Sequence, residues 1–332
     1  MYTDRKQLYQ QLETLRNSKL LVYVTGDRRQ LETKIGSDVI DLFTYHLDLI
    51  YKHDRISLYL YTRGGDTLAA WSLVNLIRQF TDYLEVIVPS KAHSAGTLMC
   101  LGANSIIMTK QATLGPIDPS VNTPLNPQVP GAPPHANIPV NVEDLNGFVE
   151  YCRQVLGEDA EMKELLLLLS EKVHPLVLGS AFRARGQIRM LATKLLANQS
   201  HADEKLEALL RFLCSESGSH DYTINRREAR DELGLPIEKP DDELYSVIKN
   251  IYDDISSELE LTVPYDPNSI LGTDNAREYR LPRALIESLA GGSHCFYSEG
   301  KLVRTQVQRQ PGVMQNAIQD NRTFERWRHS SE

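Results

Sequence analysis

Residues 88–119 read VPSKAHSAGTLMCLGANSIIMTKQATLGPIDP. An apolar run at 84–88 predicts a strand, and Pro89 closes it. The small, apolar segment 92–103 suits a buried helix. Ser94 would open that helix, within AHSAGT. Residues 105–108 predict the next strand and 112–117 a further short element, ending at Asp118 and Pro119.

The same alternation extends upstream. Residues 1–17 predict a lead-in helix and 20–24 a buried strand ended by Thr25, Gly26 and Asp27. Residues 37–52 have helical spacing, with Ser37 as the expected N-cap. Residues 56–61 predict a strand that runs into the sharp turn Arg63-Gly64-Gly65-Asp66, and 66–80 the helix after it. Strands and helices alternating at this length imply right-handed crossovers and a mainly parallel sheet, hence an α/β fold.

Downstream the composition changes. Residues 119–139 hold seven prolines (119, 124, 127, 130, 133, 134 and 139), so no regular element is expected in this loop. A loop of that length in a compact protein is commonly a lid, a substrate-binding arm or a disordered segment. Residues 143–217 are strongly helical and predict three helices. Further helices are expected at 224–235 and 241–259. A hairpin is expected from 294–297 and 301–307 around the turn Ser298-Glu299-Gly300. The expected organisation is a lead-in helix (1–19), a core (20–240) and a C-terminal helix, hairpin and tail (241–332).

The 332 residues are 41% hydrophobic and 24% charged, which suits a globular protein with a sizeable core. A net charge of -8 argues against nucleic-acid binding, which needs a basic footprint. The arginines of the C-terminal stretch (304, 309, 322, 326 and 328) read as a solvated tail. The cysteines Cys100, Cys152, Cys214 and Cys295 are scattered, with no CxxC pair, and read as buried thiols of a reducing compartment. No metal cluster or phosphate-binding GxxxxGK[ST] motif is present in the sequence, so no cofactor is expected. The longest apolar run, 165–169, is far too short to span a bilayer. With a polar opening segment, the expectation is a cytoplasmic protein with no membrane association.

Acyl transfer by serine needs a positioned base and amide donors for the oxyanion. Ser94 at a helix start beside a glycine turn meets half of that requirement. The expected oxyanion hole is the N–H groups of Gly65 and Ala95. Each feature alone has a plainer explanation, because a Ser-Ala-Gly helix start often serves tight packing and a Gly-Gly pair is often only a turn.

The order of the motifs adds a resemblance. YTRGGDTLAAWSLVNLI (61–77) resembles the glycine turn and helix of Clp-type peptidases, and residues 88–119 resemble the nucleophile segment of that superfamily. The pattern SAGT…LGPIDP (94–97 and 114–119), with SHDYTINRREARDELGLPI (219–237), is similar to the serine dehydrogenase proteinase family. The resemblance covers roughly residues 20–240. It implies the Clp-peptidase/crotonase-like ββα superhelix and a serine peptidase. It also implies a triad of Ser94 as nucleophile, Asp118 as acid and His220 as base.

His174 is the rival base, with His93, His135 and Lys172 behind it. Asp118 between two prolines could simply shape a turn. The resemblance further implies a peptide or protein substrate, a homo-oligomer and a separate unfoldase or regulatory partner. Two other classes stay open: a crotonase-type acyl-CoA enzyme, and an inactive Clp-fold scaffold or regulatory subunit.

Overall fold

The computed structural model describes the chain apart from residues 118–119, 130, 132–135, 158–161, 198, 200–202, 217–218, 220, 311–312 and 331–332. Two compact units emerge: residues 1–113 with 236–332, and residues 114–235.

The first unit is built on one eight-stranded sheet. Its elements are α1 (Tyr2–Arg16), β1 (Lys19–Thr25), α2 (Ile40–Ile50), β2 (Arg55–Tyr61), α3 (Thr67–Ile77), β3 (Tyr83–Val88), β4 (Lys91–Ala92), α4 (Ala95–Leu101) and β5 (Ser105–Met108). A short strand β6 (Thr113–Leu114) lies at the junction with the second unit. The second unit holds β7 (Ser120–Val121), β8 (Val140–Asn141), α5 (Val142–Leu156), α6 (Met162–Lys172), α7 (Pro175–Leu196), α8 (Asp203–Arg211), β9 (Ile224–Asn225) and α9 (Arg226–Asp231). The chain then returns to the first unit with β10 (Ile237–Glu238), α10 (Asp242–Glu258), α11 (Pro267–Leu271), β11 (Ala276–Ser288), β12 (Gly292–Gln310) and β13 (Val313–His329).

The sheet order is β10-β5-β3-β2-β1-β11-β12-β13. The five strands from β10 to β1 run parallel, and β11 to β13 are added antiparallel. The mainly parallel α/β architecture expected from the sequence is present. Strands β1, β2 and β3 are buried at every position but the first, which is why they read as largely apolar runs; the buried exceptions in β2 and β3, Ser57 and Glu85, bond each other and Glu85 pairs with Arg16 of α1. Helices α1 and α10 supply Tyr9, Leu12, Ile248 and Ile251 to one core cluster with Val22, Val24 and Tyr59. Arg5, fully buried on α1, donates to Glu287 on β11 at 2.7 Å and to Glu258 on α10 at 2.6 Å, and Tyr9 also donates to Glu287. A buried charge is tolerable only when paired in this way, so the network fixes how α1 docks.

Several expectations require correction. Ser37 caps no helix: it opens a 3-10 turn (Ser37–Val39) whose N-cap is Gly36. Among its described residues, region 143–217 carries four α-helices, α5 to α8, followed by a π-helical turn at Phe212–Glu216, where three helices were expected. Asp66 is the N-cap of α3, accepting from the amides of Leu68 and Ala69, and the helix stops at Ile77. The 224–235 helix is confined to α9. Among its described residues, the proline-rich loop carries the short strand β7, where no regular element was expected. Asn126 is buried and donates to the carbonyls of Val121 (2.7 Å) and Ile138 (2.9 Å), joining its two ends.

The largest difference lies at the C-terminus. Ser298-Glu299-Gly300 is not a turn, because β12 runs straight through it with a register shift at Glu299/Gly300. Gly300 is there for close approach: a Cβ would meet Asn321 O at 2.7 Å and Tyr279 Oη at 2.8 Å. The arginine-rich stretch expected to be a solvated tail is strand, with Arg304 and Arg309 on β12 and Arg322, Arg326 and Arg328 on β13, and Arg322 pairs with Asp320 (3.1 Å) and Glu325 (2.8 Å). The four cysteines are buried and free, as expected.

A histidine cluster ties α2 to the C-terminal strands. His46 Nδ1 lies 2.8 Å from Ser288 Oγ, and its Nε2 lies 3.0 Å from His294 Nδ1. The His329 ring is edge-on to His294. Burial, then the neighbouring histidines, pushes His46 down to about 3. Burial and His329 push His294 down to about 4. Both are neutral when folded, while unfolded they titrate near the ordinary histidine value of about 6.5. As pH falls below that value the unfolded chain takes up protons the folded chain refuses, so stability drops towards pH 4. The expected loss is up to about 1.4 kcal/mol per pH unit per histidine. Urea midpoints between pH 7 and 4.5 check this, with His46→Gln expected to flatten the slope. Equal slopes in the two proteins contradict the assignment.

Candidate active site

Ser94 sits where β4 gives way to α4. Its backbone is at φ 52 and ψ -117, outside the regions that a residue with a Cβ ordinarily occupies. Such a conformation persists only when its surroundings impose it, and it is concentrated at functional sites. Here the surroundings can be named. Gly64, at φ 109, passes so close that a Cβ on it would lie 2.7 Å from Ser94 Cβ and 2.9 Å from His93 O. Thr62 holds both segments. Its N–H donates to Lys91 O and its carbonyl accepts from His93 N–H, each at 3.1 Å. Its Oγ1 accepts from Gly64 N–H at 2.9 Å and from Thr25 Oγ1 at 2.7 Å. Gly96 is small because Thr62 Cγ2 occupies its Cβ position, at 2.4 Å.

The second glycine faces elsewhere. Gly64 O accepts from Ile35 N–H and Asp66 N–H donates to Ile35 O, both at 2.9 Å. These bonds flank Gly65 and leave its own N–H unused by Ile35. Ala95, the first residue of α4, likewise has no intrahelical acceptor for its N–H. Among the described residues, neither amide is taken by a backbone acceptor. Ser94 and Gly65 are half-buried, open to solvent on one side, whereas Ala95 is buried. Helix α4 has only seven residues, so these N–H groups matter more than any macrodipole.

Beside the nucleophile segment, Lys91 Nζ donates to Asp27 Oδ2 at 2.7 Å, and Tyr61 Oη donates to Asp27 Oδ1 at 2.8 Å. Burial and Asp27 drive the Tyr61 phenol well upward, keeping it a neutral donor. This cluster pins β4 to the end of β1.

The sequence-predicted residues thus divide. Ser94, Gly65 and Ala95 lie together in the first unit. Asp118, His220 and His135 lie outside the described residues. His174 is exposed and caps α7, its Nδ1 accepting from Leu176 N–H at 3.2 Å. His93 Nε2 lies 2.9 Å from Thr113 Oγ1. Lys172 is exposed at the end of α6. Sequence reasoning missed Gly64 and Thr62 as the residues that shape the nucleophile turn. A threonine ending an apolar strand carries no signal of that role, since its partners come from β1 and β4.

The site is thus a half-exposed serine in a forced backbone conformation at a strand-to-helix turn, beside a glycine bend in which, among the described residues, the Gly65 N–H meets no backbone acceptor. The family model of the ClpP-like SDH-type serine proteinases matches residues 46–130, which contain both the glycine turn and Ser94. The match falls within the segment whose motifs resemble that family. Two uncharacterized proteins of Methanocaldococcus jannaschii are similar to it. MJ0137 is 30% identical over 199 residues, 60% of this chain and 59% of that protein. MJ1495 is 28% identical over 182 residues, 55% and 51% respectively. The chain therefore spans between half and three-fifths of the curated relatives it matches. Among solved structures, the membrane-bound stomatin-specific protease 1510-N in complex with a substrate peptide aligns at TM-score 0.37 and 16% identity, covering 63% of this chain and 72% of that one. ClpP1 from Listeria monocytogenes aligns at TM-score 0.36 and 15% identity, covering 70% and 98%.

Proposed function

We propose that this protein is a serine peptidase that cleaves peptide bonds through an acyl-enzyme on Ser94. The observation that carries this is the backbone of Ser94, held at positive φ against Gly64. A serine retained there has a use that offsets the strain, because glycine would adopt the same turn without it.

Ser94 Oγ attacks the substrate carbonyl carbon, and His220 takes the hydroxyl proton as the C–O bond forms. The oxyanion accepts hydrogen bonds from the N–H groups of Gly65 and Ala95. His220 then protonates the leaving amine as the peptide C–N bond breaks. Water, deprotonated by the same imidazole, hydrolyses the ester and restores Ser94. Asp118 holds the imidazole tautomer and stabilises its charged form. The protein acts on peptide or protein substrates in the cytoplasm.

Hydrolysis of a fluorogenic peptide by the purified full chain tests this. His220→Ala is expected to lower the rate roughly 10³- to 10⁴-fold. His174→Ala, which removes only a helix cap, is expected to change it less than about threefold and to cost about 1 kcal/mol of stability. The reverse ranking moves the base to His174. No hydrolysis by the wild type, with thermal stabilisation by acyl-CoA esters, replaces the peptidase with a crotonase-type enzyme.

A further inference from the structure

The middle turn of helix α6 in the second unit, Leu165 to Leu169, presents leucine on every side, yet only one of these five leucines is buried. Leu165 is 7% exposed, Leu169 is half-buried, and Leu166, Leu167 and Leu168 are 56%, 59% and 49% exposed. A helix that is apolar all round is ordinarily a buried helix. Contiguous exposed apolar surface on a folded unit marks a contact site. The same unit also exposes Phe182 of α7, at 78%.

The charges on α6 indicate what covers it. At 3.6 residues per turn, Lys163, Leu167 and Glu171 lie at i, i+4 and i+8 along one stripe, on the side of the helix away from Leu165. The stripe therefore reads cation, leucine, anion. Laid antiparallel on a second copy across a two-fold axis through Leu167, it is its own complement. Leu167 meets its counterpart, Lys163 meets Glu171 of the partner subunit, and the same pair repeats on the other side of the axis. A parallel arrangement would oppose like charges at both ends, so the pattern selects one orientation.

We propose that α6 is a self-association surface, on which two copies of this chain pair antiparallel about Leu167 with reciprocal Lys163–Glu171 contacts. This goes beyond the peptidase reading and does not depend on it, because no residue of the Ser94 site takes part. Within one chain Lys163 and Glu171 are two helical turns apart and cannot reach each other, so their complementarity is available only between copies.

Sedimentation velocity of the full chain from about 1 to 100 μM, with a folding check by circular dichroism, tests it. The wild type is expected to form dimers or larger even-numbered assemblies. Leu167→Glu is expected to halve the mass, or to weaken association at least about 100-fold, without loss of helix content, since the side chain is exposed. Lys163→Glu and Glu171→Lys, each alone, place like charges opposite one another. Each is expected to weaken association about tenfold or more. The double variant Lys163→Glu/Glu171→Lys is expected to return to within about threefold of wild type. The charge variants decide the question even if Leu167→Glu fails to fold.

A monomeric wild type across this range overturns the proposal. So does an oligomer that the charge swaps leave unchanged, or a double variant no better than the singles. Among the described residues no single helix is long and apolar enough to cross a membrane, but α6 and α7 pass that test as a pair bent by 108°. Vesicles of phosphatidylglycerol are therefore included. Flotation with them by a monomeric wild type, abolished by Leu167→Glu, makes α6 a lipid-facing helix and also overturns the proposal.

Discussion

Ser94→Ala is expected to reduce peptide hydrolysis roughly 10⁴- to 10⁶-fold, the scale on which an acyl-enzyme mechanism depends on its nucleophile. The variant is expected to stay folded, because the described structure records no hydrogen bond from the Ser94 hydroxyl and the backbone is held by Thr62 and Gly64. A second substitution separates chemistry from strain. Ser94→Gly removes the same hydroxyl but relaxes a residue at φ 52. It is expected to be equally inactive and more stable than Ser94→Ala by about 1 kcal/mol. Thermal midpoints check the stability difference and single-turnover rates the chemistry. Equal stability of the two variants means that the turn is not strained as described.

Gly65→Ala has the next largest effect. A Cβ at this position would lie 2.3 Å from Ile35 O and 2.5 Å from Ile35 N, both backbone atoms that cannot swing aside, and Gly65 is at φ 151. The turn must move. The expected cost is about 3–5 kcal/mol of stability, in the range reserved for core disruption and strained backbone. Displacing an oxyanion amide is expected to lower hydrolysis by a further factor of roughly 10²–10³ in the protein that remains folded. Gly147, inside α5 with nothing within 4 Å of its Cβ position, is the control. Gly147→Ala is expected to stabilise by about 0.5–1 kcal/mol, because glycine is a poor helix residue.

These two sites also show where sequence ceases to be legible. Strands β1, β2, β3 and β5 read directly, because a parallel strand covered on both faces is mostly apolar along its length. Ser94 at the helix start read directly too, from small residues following a strand. The division of labour between the two glycines did not. Gly64 answers to Ser94 and Gly65 to Ile35, partners about 30 residues away in each direction.

Gly300 misled for a related reason. A glycine beside serine and glutamate signals a turn, but this one is small because β13 and Tyr279 press against it. Strand β13 reads as a tail because its arginines suit a solvated segment. Its outer face is indeed exposed, and only its pairing with β12 makes it structure. Charged residues suit an edge strand, since they discourage uncontrolled pairing with other sheets.

His174 shows the limit of reading roles from residue type. A histidine before a proline at a helix start satisfies an otherwise unpaired amide, and this one does so. The backbone bend at residues 62–65 and the positive φ of Ser94 meet at one residue, Ser94, whose hydroxyl the proposed function makes the nucleophile.

Reaction of the wild-type full chain with a fluorophosphonate, followed by proteolysis and mass spectrometry of the peptide spanning residues 92–110, measures the reactivity of that oxygen. The account predicts a single phosphonyl adduct on Ser94, absent from Ser94→Ala. An unmodified Ser94, or an adduct carried by another residue, would contradict it.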